Sequence, residues 1–439
     1  MSASEEPGRD AGRRQRVLVI TSTYPRHDDD YAVPWMRETH RRLRAEGHHV
    51  TVLAPSYRGL SSHILDGCEV VRFRYAPASW ERLTHEEGAT YKVRRRGMAL
   101  LAVPYILMGC VAAVFLAATR RYDVIHVHWP FPHGIMGRLA RVVARCPLVM
   151  MSHGAEFSLA RRKAWVRPFL RRSLRAADLR IANSSDTARM VTECCDLPCE
   201  VLPYGTTVRA AEPTVRAAEP TDSDDDTIDG RPRVLFTGRL IERKGLPYLL
   251  RAAKDLVSRC NARLVITGDG EERPKLERMI DELELRDDVD MMGFVSKEEL
   301  ARQYDLCDVW VNPGIVDSWG DAEGLGIGSI EAYSHYKPVV ASRVGGIPDT
   351  IRDGQTGYLV PQKDPVALAD AIVDLIEHPE KAEAFGKAGF DYVQETFNWD
   401  RIVDDLGDLY RSVVTTRNET AACDHHVTDG RKGTVSTGS

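Results

Sequence analysis

The chain is expected to fold as two α/β domains, each a parallel sheet with helices on both faces. Three observations lead there. Short apolar runs alternate with longer amphipathic stretches from end to end, the rhythm of repeated strand–helix–strand units. The length, 439 residues, is enough for two or three domains. A polar stretch near the middle separates two halves written in the same style.

In the first half the apolar runs place strands at Arg16–Ser22, His49–Ala54, Glu69–Arg74, Asp123–His128, Leu148–Ser152, Leu179–Ala182 and Glu200–Pro203. Runs such as V-L-V-I and L-V-M-M lack polar alternation, as expected of strands covered on both faces. Between them, apolar residues at three- and four-residue spacing predict helices at Ala32–Glu46, Met98–Arg121, Gly134–Arg145, Arg161–Ala176 and Ser185–Cys194. The second half gives strands at Arg233–Thr237, Arg263–Thr267, Val289–Met292, Val309–Asn312, Pro338–Ala341 and Gly357–Val360. Its helices are expected at Gly245–Arg259, Glu271–Leu283, Lys297–Asp305, Gly326–His335 and Pro365–Glu377. The expected organisation is a disordered start over 1–15, a first domain over 16–205, a linker insertion over 206–230 and a second domain over 231–398. A last helix over 399–417 should pack back on the first domain, before a disordered tail over 418–439. The linker is marked by the perfect duplication V-R-A-A-E-P-T, Val208–Thr214 and Val215–Thr221, followed by an acidic run.

Composition is globular, 43% hydrophobic and 28% charged. The net charge of −5 hides an asymmetry. Residues 1–205 carry 31 Lys and Arg against 20 Asp and Glu, and the remainder 28 against 44. A basic first half points to an anionic partner. Nucleic acid is not expected, because no recognition motif with interleaved aromatics is present. The first fifteen residues are polar, and nine scattered cysteines fit a reducing compartment, so a cytoplasmic location is expected. Met98–Ala118 has no charge over 21 residues and is flanked by Arg and Lys. Its length would span a bilayer. Pro104, Gly109 and the strand pattern resuming at Asp123 favour a helix buried in, or lying on, a soluble domain. The stretch 161–175 carries seven Lys and Arg and no acid, which fits a solvated basic helix and an anionic membrane surface equally.

Chemistry concentrates at predicted strand ends, where doubly wound domains bind ligands. Glu323 and Glu331 bracket three glycines in E-G-L-G-I-G-S-I-E, ahead of an apolar helix. Glycines let the main chain approach a ligand, and the free N–H groups of a helix start attract anions. Carboxylates in the same place suit hydroxyls, so a sugar nucleotide is the expected ligand. Gly238, Arg239 and Lys244 follow one strand, Gly268 and Asp269 another, and Phe294 a third. Arg239 and Lys244 could neutralise a diphosphate, and Asp269 could equally cap a helix. His153 follows Leu148–Ser152 beside a glycine. His126, His128 and His133 lack the carboxylate or cysteine that would complete a metal site, and Asp28–Asp30 reads as a solvated loop. No metal or cofactor is expected.

Taken in order, G-R-L-x-x-x-K-G, G-D-G, G-F-V, E-G-L-G-I-G-S-I-E-A and V-G-G-I-P-D resemble the retaining glycosyltransferases of family four, which have the GT-B fold. V-L-V-I-T-S-T-Y-P, D-V-I-H-V-H-W and S-H-G-A-E extend the likeness through the first half. The resemblance implies two Rossmann-like domains facing across a cleft. It implies a sugar moved from a nucleotide-diphosphate donor, uridine favoured, to a hydroxyl of a sugar, glycan or lipid-linked acceptor in envelope, polysaccharide or glycolipid synthesis. Arg239 and Lys244 would hold the diphosphate, Glu331 the ribose and Glu323 the transferred sugar. Backbone at Gly324, Leu325 and Gly326 would hold sugar and phosphates, and His153 would stand beside the reacting centre. The family's Gly-Gly loop after the first strand is missing here, so acceptor contacts fall to Arg26, His27 or Tyr31. The location implied is cytoplasmic, with peripheral contact to the inner membrane face. Two other readings share the architecture: a nucleotide-sugar epimerase and a non-catalytic nucleotide-sugar-binding module.

Overall fold

The computed structural model describes residues 14–30, 32–85, 98–206 and 230–429. The chain divides into two compact units. The first comprises residues 1–182, 188–202 and 400–439; the second, 183–187 and 203–399.

The first unit is built on an eight-stranded sheet. Its strands are β1 (Arg16–Ile20), β2 (His49–Pro55), β3 (His63–Leu65), β4 (Cys68–Phe73), β5 (Val124–His128), β6 (Leu148–Ser152), β7 (Leu179–Ala182) and β8 (Glu200–Val201). They lie in the order β3-β4-β2-β1-β5-β6-β7-β8. All pairs are parallel except β3 with β4. Leu18, Ile20, Ile125, Val127 and Leu148 pack on one face under the helices Ala102–Thr119 and Pro130–Ala144. Strand side chains alternate, so His126 and His128 fall on the other face.

The second unit holds a six-stranded, all-parallel sheet: β9 (Arg233–Thr237), β10 (Arg263–Thr267), β11 (Val289–Gly293), β12 (Val309–Asn312), β13 (Val339–Ser342) and β14 (Gly357–Val360). The order is β11-β10-β9-β12-β13-β14. Leucines from helix Leu246–Cys260 and helix Pro365–Glu377 fill one face, and Trp310, Tyr333 and Ile330 the other. In each sheet the connection reverses direction once, between β1 and β5 and between β9 and β12. Loops leaving those paired strands diverge and leave a crevice.

Four expectations need correction. The stretch 161–176 is two helices, Ala155–Arg162 and Val166–Ala176. Pro168 has no N–H and is tolerated only in a first turn, so the second helix must begin just before it. The last helix runs Trp399–Asp429, past the 418 boundary set for a disordered tail. No Pro interrupts it, and the lone Gly407 does not stop it, so the helix propagates. Asp30 is not solvated: it is buried and takes the Arg26 guanidinium at 2.6 Å, while Asp28 pairs with Arg37. Asp269 caps no helix; the next one starts after Glu272, and Asp269 Oδ1 accepts from the Gly270 amide. Helix Pro379–Thr396 and strand β3 had no counterpart in the sequence reading. The duplicated segment at 208–221 and Tyr31 lie outside the described residues.

Candidate active site

The loops leaving β9, β10 and β11 form one continuous backbone ledge. Gly268 N–H donates to Gly293 O at 2.6 Å, Gly238 N–H to Thr267 O at 3.2 Å and Leu240 N–H to Asp269 O at 3.0 Å. This is the tertiary reason for the glycine motifs G-R, G-D-G and G-F. Phe294, next along the chain, is 80% exposed beside this ledge, unusual for a phenylalanine. At the reversal point the loop after β9 is tied to the loop after β12 by Ile315 N–H donating to Arg243 O at 2.8 Å.

The second sheet gathers its charges there. Lys244 Nζ lies 2.6 Å from Glu323 Oε2, with both side chains mostly buried. Arg243 reaches Glu323 at 4.0 Å and Asp321 at 3.7 Å. Burial alone would push the Glu323 carboxyl up, but Lys244, Arg243 and Arg239 outweigh it and hold it down at about 2. Arg239 keeps an exposed surface, yet desolvation and then Arg243 lower its pKa, against the pull of Glu323 and Asp321. Arg243 and Asp321 were missed by sequence reasoning, although Arg243 stands beside Lys244 in the motif.

The E-G-L-G loop is fixed from behind. Gly346 N–H donates to Glu323 O at 2.9 Å. A Cβ on Gly346 would stand 2.1 Å from Gly324 O, so only glycine fits. Gly326 adopts φ +80° and opens helix Ile327–Ser334. Leu325 is buried beneath, in the same apolar cluster as Ile347.

Glu331, on that helix, has surface open to solvent and lines a pocket of about 420 Å³ with Tyr304, Lys297 and His335. The surrounding wall desolvates it, and its pKa is raised, with Tyr304, Lys244 and His335 opposing. Tyr304 Oη donates to Glu331 Oε2 at 2.8 Å and meets Thr237 Oγ1 at 2.9 Å; Trp310 Nε1 donates to that same hydroxyl at 3.1 Å. The Tyr304 ring stacks on His335, whose Nδ1 is 2.6 Å from Asp305. Nothing in the sequence signals Tyr304, whose partners come from strand β9 and from helix Ile327–Ser334 with its C-cap.

In the first unit, His153 ends β6 at the sheet's C-terminal edge and is buried. Its amide donates to Glu156 Oε1 at 3.0 Å, and its Nε2 lies 3.1 Å from His128 Nδ1. Trp129 and Trp35 stand 4.5 and 5.1 Å from its ring centroid. His126 Nδ1 meets Tyr410 Oη of the last helix at 2.6 Å. Desolvation, reinforced for both by a neighbouring histidine, pushes His153 and His126 down to about 3, so these rings are neutral at physiological pH. Among the described residues no group of three His, Cys, Asp or Glu could hold a metal ion. The loop after β1, which lacks glycine, is pinned by a buried side chain: Arg72 donates to Tyr24 O at 2.9 Å and Pro25 O at 2.6 Å. Arg26 lies over Tyr57 and is tied to Asp30, while His27 is exposed.

Comparison with known proteins agrees with this geometry. The family described as Glycosyl transferases group 1 matches residues 219–392, and Glycosyltransferase Family 4 matches 33–208. A GDP-mannose-dependent alpha-(1-6)-phosphatidylinositol monomannoside mannosyltransferase from Mycolicibacterium smegmatis is 32% identical over 325 residues, 70% of this chain and 82% of that protein. The chain belongs to glycosyltransferase family four, group 1. A second family relative, D-inositol 3-phosphate glycosyltransferase 1 from Catenulispora acidiphila, is 29% identical over 86% of this chain and 89% of its own. Sucrose-phosphate synthase from Thermosynechococcus elongatus shares the fold, with a TM-score of 0.71 at 23% identity, covering 92% of this chain and 100% of that structure. The two parallel-sheet domains are thus those of a GT-B glycosyltransferase, and the enzyme uses a nucleotide-sugar donor.

Proposed function

We propose that this glycosyltransferase moves a sugar with retained anomeric configuration, without a metal ion, to a hydroxyl of a glycan or lipid-linked acceptor. The observation that carries this reading is the cluster of Arg239, Arg243 and Lys244 around Glu323 and Asp321 at the sheet's reversal point. Three fixed cations against two carboxylates leave a positive surplus for a diphosphate. Such preorganised charge stabilises a leaving group without reorganisation cost. Lys244 and Arg239 take the diphosphate, and the main chain at Gly324, Leu325 and Gly326 takes sugar and phosphate oxygens. Glu323, ionised throughout the neutral range, accepts from hydroxyls of the transferred sugar. Glu331 accepts from the ribose hydroxyls, with Gly238, Gly268, Asp269 and Phe294 walling the nucleoside. The neutral ring of His153 offers a hydrogen bond to the sugar in place of a charge. The departing phosphate takes the acceptor proton on the face from which it leaves.

The base stays open between uracil, the sequence expectation, and guanine, which the mannosyltransferase relative carries in its name. The names of that relative and of the inositol-phosphate enzyme support a polar or lipid-anchored polyol acceptor; a cytoplasmic site and a place in envelope or glycolipid synthesis belong to the same proposal. The test is a donor panel opening with GDP-mannose and UDP-glucose, with and without EDTA, and NMR of the product's anomeric centre. Inversion, or loss of turnover in EDTA restored by a divalent cation, defeats the mechanism. Release of a free epimer from the donor would instead favour an epimerase. Tight binding with neither transfer nor hydrolysis would favour a binding module.

A further inference from the structure

Helix Ala102–Thr119 divides sharply into two faces. Tyr105, Gly109, Ala113 and Leu116 are buried, and three of them join the apolar cluster over the first sheet. Val103, Leu107, Val111 and Phe115, spaced every four residues, are each 60 to 63% exposed. A soluble surface rarely carries such a stripe without a partner. Helix Pro130–Ala144 packs against this helix, and helix Val166–Ala176 packs against that one in turn. They extend the apolar surface with Leu139 and Val142, then with Phe169 and the neighbouring Trp165. These three helices contain no Asp or Glu. The last presents Arg167, Arg171 and Arg172 to solvent, interleaved with the two aromatics.

We propose that this three-helix face docks the enzyme on an anionic lipid bilayer, with helix Ala102–Thr119 lying in the plane of the interface. Its length and apolar content would allow a span. Spanning would strip Tyr105, Ala113 and Leu116 from the sheet, whereas lying flat keeps that packing and buries the exposed stripe among acyl chains. Arginines without acidic neighbours on these helices complement anionic headgroups, and Trp165 and Phe169 suit the boundary between headgroup and chain. A second copy of the chain would bring equal positive charge to the same face, which argues against self-association there. The proposal stands apart from the reading of the donor site, since vesicle binding needs no nucleotide sugar.

The full chain is floated with vesicles of phosphatidylcholine alone, or mixed with phosphatidylglycerol, at low and high salt. Flotation is expected only with phosphatidylglycerol, and weaker in high salt. The double variant Val111→Asp with Phe115→Asp should lower the bound fraction more than about tenfold, as should Arg167→Glu with Arg171→Glu and Arg172→Glu. Both should keep donor hydrolysis at the wild-type rate, which shows that they fold. Equal binding to neutral vesicles, no binding at all, or charge reversal without effect would overturn the proposal. So would a concentration-dependent dimer that the Val111, Phe115 variant abolishes, since a second copy would then be the occupant.

Discussion

Lys244 and Glu323 hold each other at 2.6 Å, so each orients the other. Replacing Lys244 by Ala removes a cation meant for the leaving diphosphate. By analogy with the loss of one preorganised donor, kcat should fall about 10²- to 10³-fold, and the melting temperature should fall as well, because Glu323 stays buried without its nearest countercharge. A variant within threefold of wild type would take Lys244 out of the mechanism. Tyr304 acts through Glu331. Tyr304→Phe keeps the ring on His335 but loses the bond to the carboxylate, and a hydrogen bond to a charged group is worth about 1.5–3 kcal/mol. Steady-state kinetics should show KM for the donor raised about tenfold and kcat little changed. A fall in kcat at constant KM would contradict a role in holding the ribose. Both glutamates were legible in the sequence because their spacing sits inside one loop and one short helix. Tyr304 was not, because its contacts are made across helices.

At the scale of elements, the loops do what their glycines allow. The segment V-G-G-I-P-D had no role in the sequence beyond its resemblance; in the fold it braces the back of the Glu323 loop. Gly346→Ala would force a Cβ against Gly324 O and should destabilise the second unit by about 1–3 kcal/mol, the usual range for overpacking. Urea titration would read this, and an unchanged midpoint would mean that the two loops can slide apart. Donor affinity should fall with it, because Glu323 moves with the loop. The basic stretch 161–176 teaches a different lesson. Apolar spacing suggested one helix, but the structure has two, the second beginning just before Pro168, with Trp165 and Phe169 exposed among the arginines.

For the whole molecule, the buried histidines set a pH dependence. His40, His126 and His153 are pushed down to about 3, chiefly by desolvation. Unfolded, each would titrate near its ordinary value of 6.5. Between those values the unfolded chain binds more protons, so stability is complete above about pH 6.5 and is lost as pH falls toward 3. The melting temperature should therefore drop between pH 7 and pH 5, by an amount that shrinks in His126→Phe. A flat profile would mean that these rings reach water. Glu323 works later, since its depressed carboxyl loses its contribution only between its ordinary 4.5 and about 2.

The sequence by itself determined the two parallel sheets, nearly every strand, and the loops that carry the charges, because strand and helix periods and glycine-rich turns are written in neighbouring residues. Only the tertiary structure decided the order of strands, and with it which loops meet at the reversal points. It alone brought Arg72 to the carbonyls of Tyr24 and Pro25, Tyr304 to Glu331, and one face of an uncharged helix out into solvent. The physical reason is that a period tells which side of an element is apolar, while the partner on that side comes from residues far along the chain.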